Sequence, residues 1–155
     1  PGGVAIDAAP RHLLPMKTDA LDRLSVLAAP SIAQFEALAE RAFADLPETF
    51  RKLCAGVIIR IADFPDDETL DQMGLESEFD LLGLFRGVGF AQQGAAPRTG
   101  QEPNMIWLYR RPILDYWAEH EETLGAIVTH VLVHEIGHHV GLSDDDMEAL
   151  EKAAG

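Results

Sequence analysis

The sequence predicts an α+β fold, in which a small twisted sheet of about three strands packs against three or four helices. The 155 residues contain 47% hydrophobic and 25% charged side chains, which is typical of one globular domain. In several segments apolar residues recur at helical spacing, whereas others are short β-branched or aromatic runs bounded by glycine or proline. The sequence has no internal repeat and no domain linker.

The helices are predicted from apolar periodicity and from residues that begin or end helices. Ser31 is a candidate N-cap, and Pro47 stands where the first pattern should stop. Arg110 and Pro112 open a short helix that includes Tyr116 and Trp117. Four helices are predicted, over residues 30–45, 110–117, about 121–140 and about 144–152, with a weak additional helix near 69–73.

Three short segments are predicted to be strands: Val57–Ile61, Leu81–Phe85 and Met105–Tyr109. The glycines in and after the second segment are expected to end it. Gln92–Pro103 is rich in Gly, Pro and Gln and is predicted to be an exposed loop. The acidic run Asp63–Asp71 lacks the ligand spacing of a calcium loop, so we expect it to be solvated.

Residues 1–30 are predicted to form an N-terminal tail, not necessarily ordered throughout, and residues 31–155 the folded domain. Pro1–Pro15 lacks the apolar centre of a signal peptide, and no apolar run approaches the length of a membrane-spanning helix. Cys54 is the single cysteine, so it cannot form an internal disulfide, and we expect it to be a buried, inert thiol. Together these features predict a cytoplasmic protein.

The charge balance limits the classes of partner that the protein can bind. Lys and Arg number 12 against 26 Asp and Glu, which gives a net charge of −14 and a pI near 4.6. Such a surface repels phosphate groups, which argues against nucleic acid and anionic membranes as partners. The glycines Gly87 and Gly89 are too weak a pattern to predict a nucleotide site.

One motif carries chemistry: His134-Glu135-Ile136-Gly137-His138. Two histidines at positions i and i+4 of a helix lie on one face, within reach of a single metal ion. Glu135 follows the first histidine and can reach a metal-bound water as a general base. Zinc suits imidazole donors, and a catalytic zinc keeps one coordination position open.

The third ligand is predicted downstream of this helix. Gly141 is suited to the left-handed turn that ends a helix and reverses the chain. Asp144 follows three residues later, which brings a carboxylate within reach of the same ion. Asp144 is also a candidate N-cap of the last helix, and Asp145, Asp146 or a further water are substitutes as ligands.

Other residues near the motif have weaker patterns. His139 points about 100° away from His138, which favours a supporting or solvent role over ligation. His130 precedes His134 by one turn and is either a packing residue or one that orients a ligand or substrate. An oxyanion would need a stabilising donor, and the candidates are Tyr109, Arg110, Arg111 and Tyr116. Trp107 and Trp117 are expected in the core.

The motif helix is predicted to be buried along one side. Gly137 inside a helix costs about 1 kcal/mol relative to alanine, so we expect another element to approach closely there. The apolar positions of this helix form a wide stripe: Leu124, Ile127, Val128, Val131, Leu132, Ile136 and Val140.

The string HEIGHHVGLSD resembles the extended motif of the Asp-zincins, metallopeptidases that hold one catalytic zinc with two histidines and an aspartate. With LLGLFRG and MIWLYRRP ahead of the motif, the chain is similar to a bacterial family of predicted minimal zincins over roughly Ile32–Lys152. The resemblance implies a zincin-like domain, in which the sheet packs on a backing helix and an active-site helix. It implies His134, His138 and Asp144 as ligands of one Zn²⁺ per chain and Glu135 as the general base.

The predicted function is therefore a zinc-dependent metallopeptidase that acts on a peptide or protein substrate. Only eleven residues follow Asp144, too few for the second wall of a substrate cleft, so we expect an open site. Peptide binding would then depend on backbone pairing with an edge strand, predicted at Leu81–Arg86. The alternatives are a non-catalytic module that holds metal and binds a peptide or protein, and a structural site completed by His139 or a second aspartate.

Overall fold

A computed structural model describes residues 18–87 and 103–154 of the chain. The chain divides into two units, Pro1–Pro30 and Ser31–Gly155. In the first unit, helix α1 (Thr18–Ser25) was not expected from the sequence, and its residues Leu21 and Leu24 are exposed.

The second unit is built on a three-stranded mixed sheet. Its strands are β1 (Ile58–Ala62), β2 (Gly83–Arg86) and β3 (Met105–Tyr109), in the order β1-β3-β2. β1 is parallel to β3, and β2 is antiparallel to it. All three predicted strands are confirmed, the first two with shifted ends. Of the predicted loop Gln92–Pro103, all but Pro103 lies outside the described residues.

One face of the sheet is covered by helices. Ile106 of β3 lies opposite Ile59 of β1 and Phe85 of β2, and Ile106 and its neighbour on that face, Leu108, are fully buried. Because side chains alternate along a strand, this row of residues defines the core face. Among the strands that the structure describes, the order makes β2 an edge of the sheet, as predicted for this segment.

The backbone of β2 also has hydrogen-bonding groups on the side away from β3. The Tyr109 N–H donates to the Leu82 carbonyl at 2.9 Å, so Leu82 is turned towards β3. In an antiparallel pair this direction alternates, and Leu84 therefore also faces β3. The N–H and C=O groups of Gly83 and Phe85 consequently point outward.

Helices α2 and α6 lie on the core face, with α2 against β1 and α6 against β2 and β3. Ser31 caps α2 as predicted, in a capping box with Gln34. The packing of the sheet on a backing helix and on the helix that carries the motif confirms the predicted fold class. The helices of this unit are α2 (Ile32–Ala44), α3 (Glu48–Leu53), α4 (Asp67–Met73), α5 (Arg110–Glu119), α6 (Leu124–Val140) and α7 (Asp144–Ala154). In the described ranges, no helix is long and apolar enough to cross a bilayer.

Several expectations need correction. The charged residues of the acidic run are exposed, as expected, but α4 begins at Asp67, two residues before the predicted helix at 69–73. The helix starts earlier because the Asp66 carboxylate accepts the Thr69 N–H at 2.8 Å and caps it. Gly83 lies inside β2 and does not end the strand. Trp117 is 39% exposed and is not a core residue, whereas Trp107 is half-buried. α3 was not expected.

The close approach expected at Gly137 is confirmed, and α7 makes it. A Cβ atom added at Gly137 would overlap Met147 Sδ and lie 2.9 Å from its Cγ. Met147 is itself buried, so it cannot move aside into solvent. Gly125, near the start of the same helix, has no atom within 4 Å of an added Cβ. The two glycines of α6 therefore occupy opposite environments.

This contrast predicts opposite effects for the same substitution. Gly137→Ala should lower the free energy of unfolding by about 1–2 kcal/mol, because overpacking exceeds the gain in helix propensity. Gly125→Ala should raise it by up to about 1 kcal/mol, because only the propensity gain operates. Urea unfolding of both variants checks this, and equal shifts of the same sign would contradict the packing argument.

Cys54 is buried, as expected, at the end of α3. Burial disfavours the thiolate and raises the pKa of the Cys54 thiol from 9.0 to about 11. The folded protein therefore keeps this thiol protonated where an unfolded chain would ionise it.

We predict that Cys54 does not react with a disulfide reagent at pH 8 and reacts fully once the chain is unfolded in denaturant. The raised pKa of Cys54 contributes stability that is complete below pH 9 and is lost as pH rises through about 11. A Cys54→Ala control identifies this contribution by difference in pH-dependent unfolding. Rapid labelling of the native protein at pH 8 would contradict the burial.

Candidate active site

The two histidines of the motif lie one turn apart on α6. The ring centroids of His134 and His138 are 6.3 Å apart, with an angle of 71° between the ring planes. His134 is half-buried and the His138 side chain is 59% exposed. The structure thus places both imidazoles on one side of the helix, at its C-terminal half, with access from solvent.

The Glu135 side chain lies between His138 and the edge of the sheet and is only 7% exposed. Its Oε2 atom accepts the Phe85 N–H at 2.7 Å and lies 3.1 Å from Nδ1 of His138. The Phe85 N–H is one of the outward-facing groups of β2. The carboxylate of the motif is therefore held between one of the two histidines and the free edge of the sheet.

Gly83 makes this position possible. A Cβ atom added there would lie 2.6 Å from Val131 Cγ1 and 3.2 Å from Glu135 Cγ. Any side chain at Gly83 would force α6 away from β2. Gly83 was not predicted to belong to the site, although a glycine within a strand indicates a close approach by another element.

α7 packs back along the side of α6 that carries His130 and Gly137. Met147 contacts the position of Gly137, and Glu151 Oε1 lies 2.9 Å from His130 Nδ1. Asp144 precedes Met147 by three residues and Glu151 by seven, so helical spacing gives it the same side of α7. Asp144 is the first residue of α7 and is exposed.

Asp144 does not cap α7, so this part of the expectation is wrong. Ser143 is the N-cap: its Oγ accepts the Asp146 N–H at 3.2 Å and donates to Asp146 Oδ2 at 2.7 Å. This hydrogen bond lowers the pKa of the Asp146 carboxyl. Asp146 is thus engaged in the cap, whereas the Asp144 carboxylate takes no part in capping.

Within residues 18–87 and 103–154, no three His, Cys, Asp or Glu side chains are gathered closely enough to hold a metal ion. The donor types nevertheless fit zinc: two imidazoles one helical turn apart on α6, and a carboxylate on the side of α7 that packs against α6. His134, His138 and Asp144 are the residues that could hold it.

A comparison with known protein families shows to which family the chain belongs. The model of the zincin-like metallopeptidase family matches residues 54–154, well over half of the chain. The chain belongs to the zincin-like metallopeptidase family. No curated protein matches it. The match includes all three strands of this zincin-like chain and the helix that carries the motif.

The other histidines of this zincin-like domain differ from each other. His130 is exposed, its ring centroid lies 4.8 Å from that of His134, and Glu151 binds its Nδ1. His139 is only 2% exposed, so the expected solvent role is wrong. It packs against Phe85 at 5.1 Å, and its Nε2 lies 3.3 Å from the Leu53 carbonyl.

Most of the proposed oxyanion donors are committed elsewhere. Tyr109 is buried, which raises the pKa of its hydroxyl to about 12. Arg110 donates to Asp63 at 2.9 Å, and the Arg111 guanidinium lies 5.3 Å from the centre of the Phe64 ring. Tyr116 differs, because it lines a cavity together with His130 and Val131.

Proposed function

We propose that this protein is a zinc-dependent metallopeptidase of the Asp-zincin type, with one zinc held by His134, His138 and Asp144. Glu135 is the general base. The substrate is a peptide or protein, and the reaction takes place in the cytoplasm, the reducing compartment that a single buried thiol at Cys54 favours.

The observation that carries the proposal is the position of the Glu135 carboxylate. It lies at once beside His138 and at the outward-facing N–H of an edge strand. An extended peptide can add to such an edge by backbone hydrogen bonds. A peptide bound along β2 would therefore run past the carboxylate and the histidine pair.

Zinc held by these side chains would supply Lewis-acid activation of a water molecule and of the substrate carbonyl. The protein's own contribution is proton transfer: Glu135 accepts a proton from the attacking water and delivers it to the amine of the leaving peptide. For this step the carboxylate must exchange its contact with Phe85 or His138 for the water. The near-complete burial of Glu135 limits competing solvent.

A second candidate function is a metal-holding module that binds a peptide or protein without cleaving it. One observation favours it: both contacts of Glu135 Oε2 are with the protein itself, as expected for a structural carboxylate. Glu135 would then fix α6 to β2, and its loss would change stability alone. The two candidates differ in what the same substitution does.

We predict that Glu135→Gln lowers peptidase activity by about 10²–10⁴-fold, because a general base of this kind contributes that much. Glutamine still accepts the Phe85 N–H, so the fold should be retained. The measurement is cleavage of unfolded proteins and short peptides by the zinc-loaded protein, with and without chelator. Full activity of the variant would exclude Glu135 as the base.

The outcome also separates the two candidates. Fragments that disappear with chelator support the peptidase. Chelator-sensitive peptide binding without fragments from the wild-type protein would overturn it in favour of the module. Thermal unfolding of Glu135→Gln and wild type, measured side by side, shows whether a loss of activity results from a loss of stability.

We predict one zinc per chain by native mass spectrometry, and weaker binding in Asp144→Ala. Loss of a direct ligand should reduce zinc affinity by at least about 100-fold, the upper range for a residue that only supports a ligand. Glu148→Ala is the matched control, because Glu148 is an exposed acidic residue of α7 that pairs with Lys152 and was not named as a ligand. Equal zinc affinity of the two variants would remove Asp144 from the ligand set.

A further inference from the structure

A cavity of about 130 Å³ lies beside the candidate active site. It is enclosed by the residue before β2, by α5, by the turn before α6 and by the N-terminal half of α6. Its lining residues are Leu82, Tyr116, Glu122, Ile127, His130 and Val131.

Two of the lining residues border the site directly. The ring centroid of His130 is 4.8 Å from that of His134. Val131 precedes Glu135 by one turn, and both side chains flank Gly83 on the edge strand. A peptide bound along β2 would therefore place a side chain in this cavity about one residue from the point where its backbone passes Glu135.

The cavity joins an apolar wall to one carboxylate. Leu82, Ile127 and Val131 supply aliphatic surface and Tyr116 an aromatic ring, which stacks on His120 at 3.7 Å. The volume is close to the roughly 150 Å³ that takes up a benzene ring in another protein. Such a space suits a chain of several methylene groups, with Glu122 left for a polar end.

Glu122 is exposed, and in the described part of the chain no hydrogen bond or ion pair engages its carboxylate. It also borders a broader cavity of about 450 Å³, which it shares with His130 and Glu151. Glu119 and Glu121 add negative charge close by in the sequence.

The cations of the nearby elements are engaged away from the cavity. Arg110 pairs with Asp63, Arg111 lies against Phe64, and Lys152 pairs with Glu148 at 2.7 Å. None of these three cations therefore neutralises Glu122, and an exposed carboxylate attracts cationic groups.

We propose that this cavity binds a lysine or arginine side chain of the substrate, with Glu122 as the residue that recognises its charge. The aliphatic stem of such a side chain packs on the apolar wall, and the cationic head reaches the carboxylate. This inference rests on the proposed peptidase function. It makes Glu122 a specificity-determining residue outside the metal and base set.

The test compares peptides that differ at one position, lysine against norleucine, which has a similar stem but no charge. The position is moved stepwise along the peptide, and kcat/KM is measured for each pair. At one position, wild type should prefer lysine by about three- to fivefold, the upper part of the range for a solvent-accessible ion pair.

In Glu122→Gln the ratio of kcat/KM for the lysine peptide to that for the norleucine peptide should fall close to one. Glu122→Lys should instead prefer a peptide with glutamate at that position. Glu121→Gln is the matched control, because Glu121 is an exposed neighbour that does not line the cavity, and it should keep the preference. A wild-type ratio near one at every position would overturn the inference. Equal effects of Glu121→Gln and Glu122→Gln would do so as well.

A binding measurement separates failure of this inference from failure of the proposed function. Fluorescein-labelled peptides are titrated into Glu135→Gln protein and followed by anisotropy, which needs no cleavage. The cavity assignment can still be supported if wild type cleaves nothing. In that case Glu135→Gln protein should bind lysine peptides more tightly than norleucine peptides, and the double variant Glu135→Gln/Glu122→Gln should not. Cleavage without any lysine preference leaves the peptidase and removes the assignment.

Discussion

The contact between α6 and the edge strand β2 is the constraint on which the rest of the site depends. It exists because Gly83 has no side chain, which lets Val131 and Glu135 approach the strand. The Phe85 N–H then meets a carboxylate instead of water. A buried carboxylate needs such a partner, since an unpaired charge away from solvent is costly. One glycine and one hydrogen bond therefore set the distance between helix and sheet.

A second glycine gives α7 its place on the opposite flank of the same helix. Gly137 receives Met147, and the pairing of His130 with Glu151 lies further along the same interface. The left-handed conformation of Gly141, with φ of 72°, reverses the chain between the two helices. α6 is thus held between β2 and α7, and the histidine pair is left at the exposed boundary between them. A rigid support of this kind is what a precise site requires.

Some residues were assigned correctly from the sequence because their signal is local. Ser31 caps the first turn of α2, and the spacing of His134 and His138 fixes them on one helix face. Trp117 was misplaced, because its exposure depends on what packs against α5. The solvent alternative for His139 was wrong for the same reason: only the tertiary structure brings Phe85 and Leu53 against its ring.

The sequence by itself determined the family motif, the three strands and the principal helices, since these follow from short-range spacing, capping and periodicity. It also indicated that something must lie close to Gly137. Only the tertiary structure decided that α7 fills that space, that Glu135 is bound by Phe85, and that Glu122 borders a cavity next to His130. These pairings join residues up to fifty positions apart. Periodicity carries no information at that range, because the partner of a side chain is set by how whole elements pack.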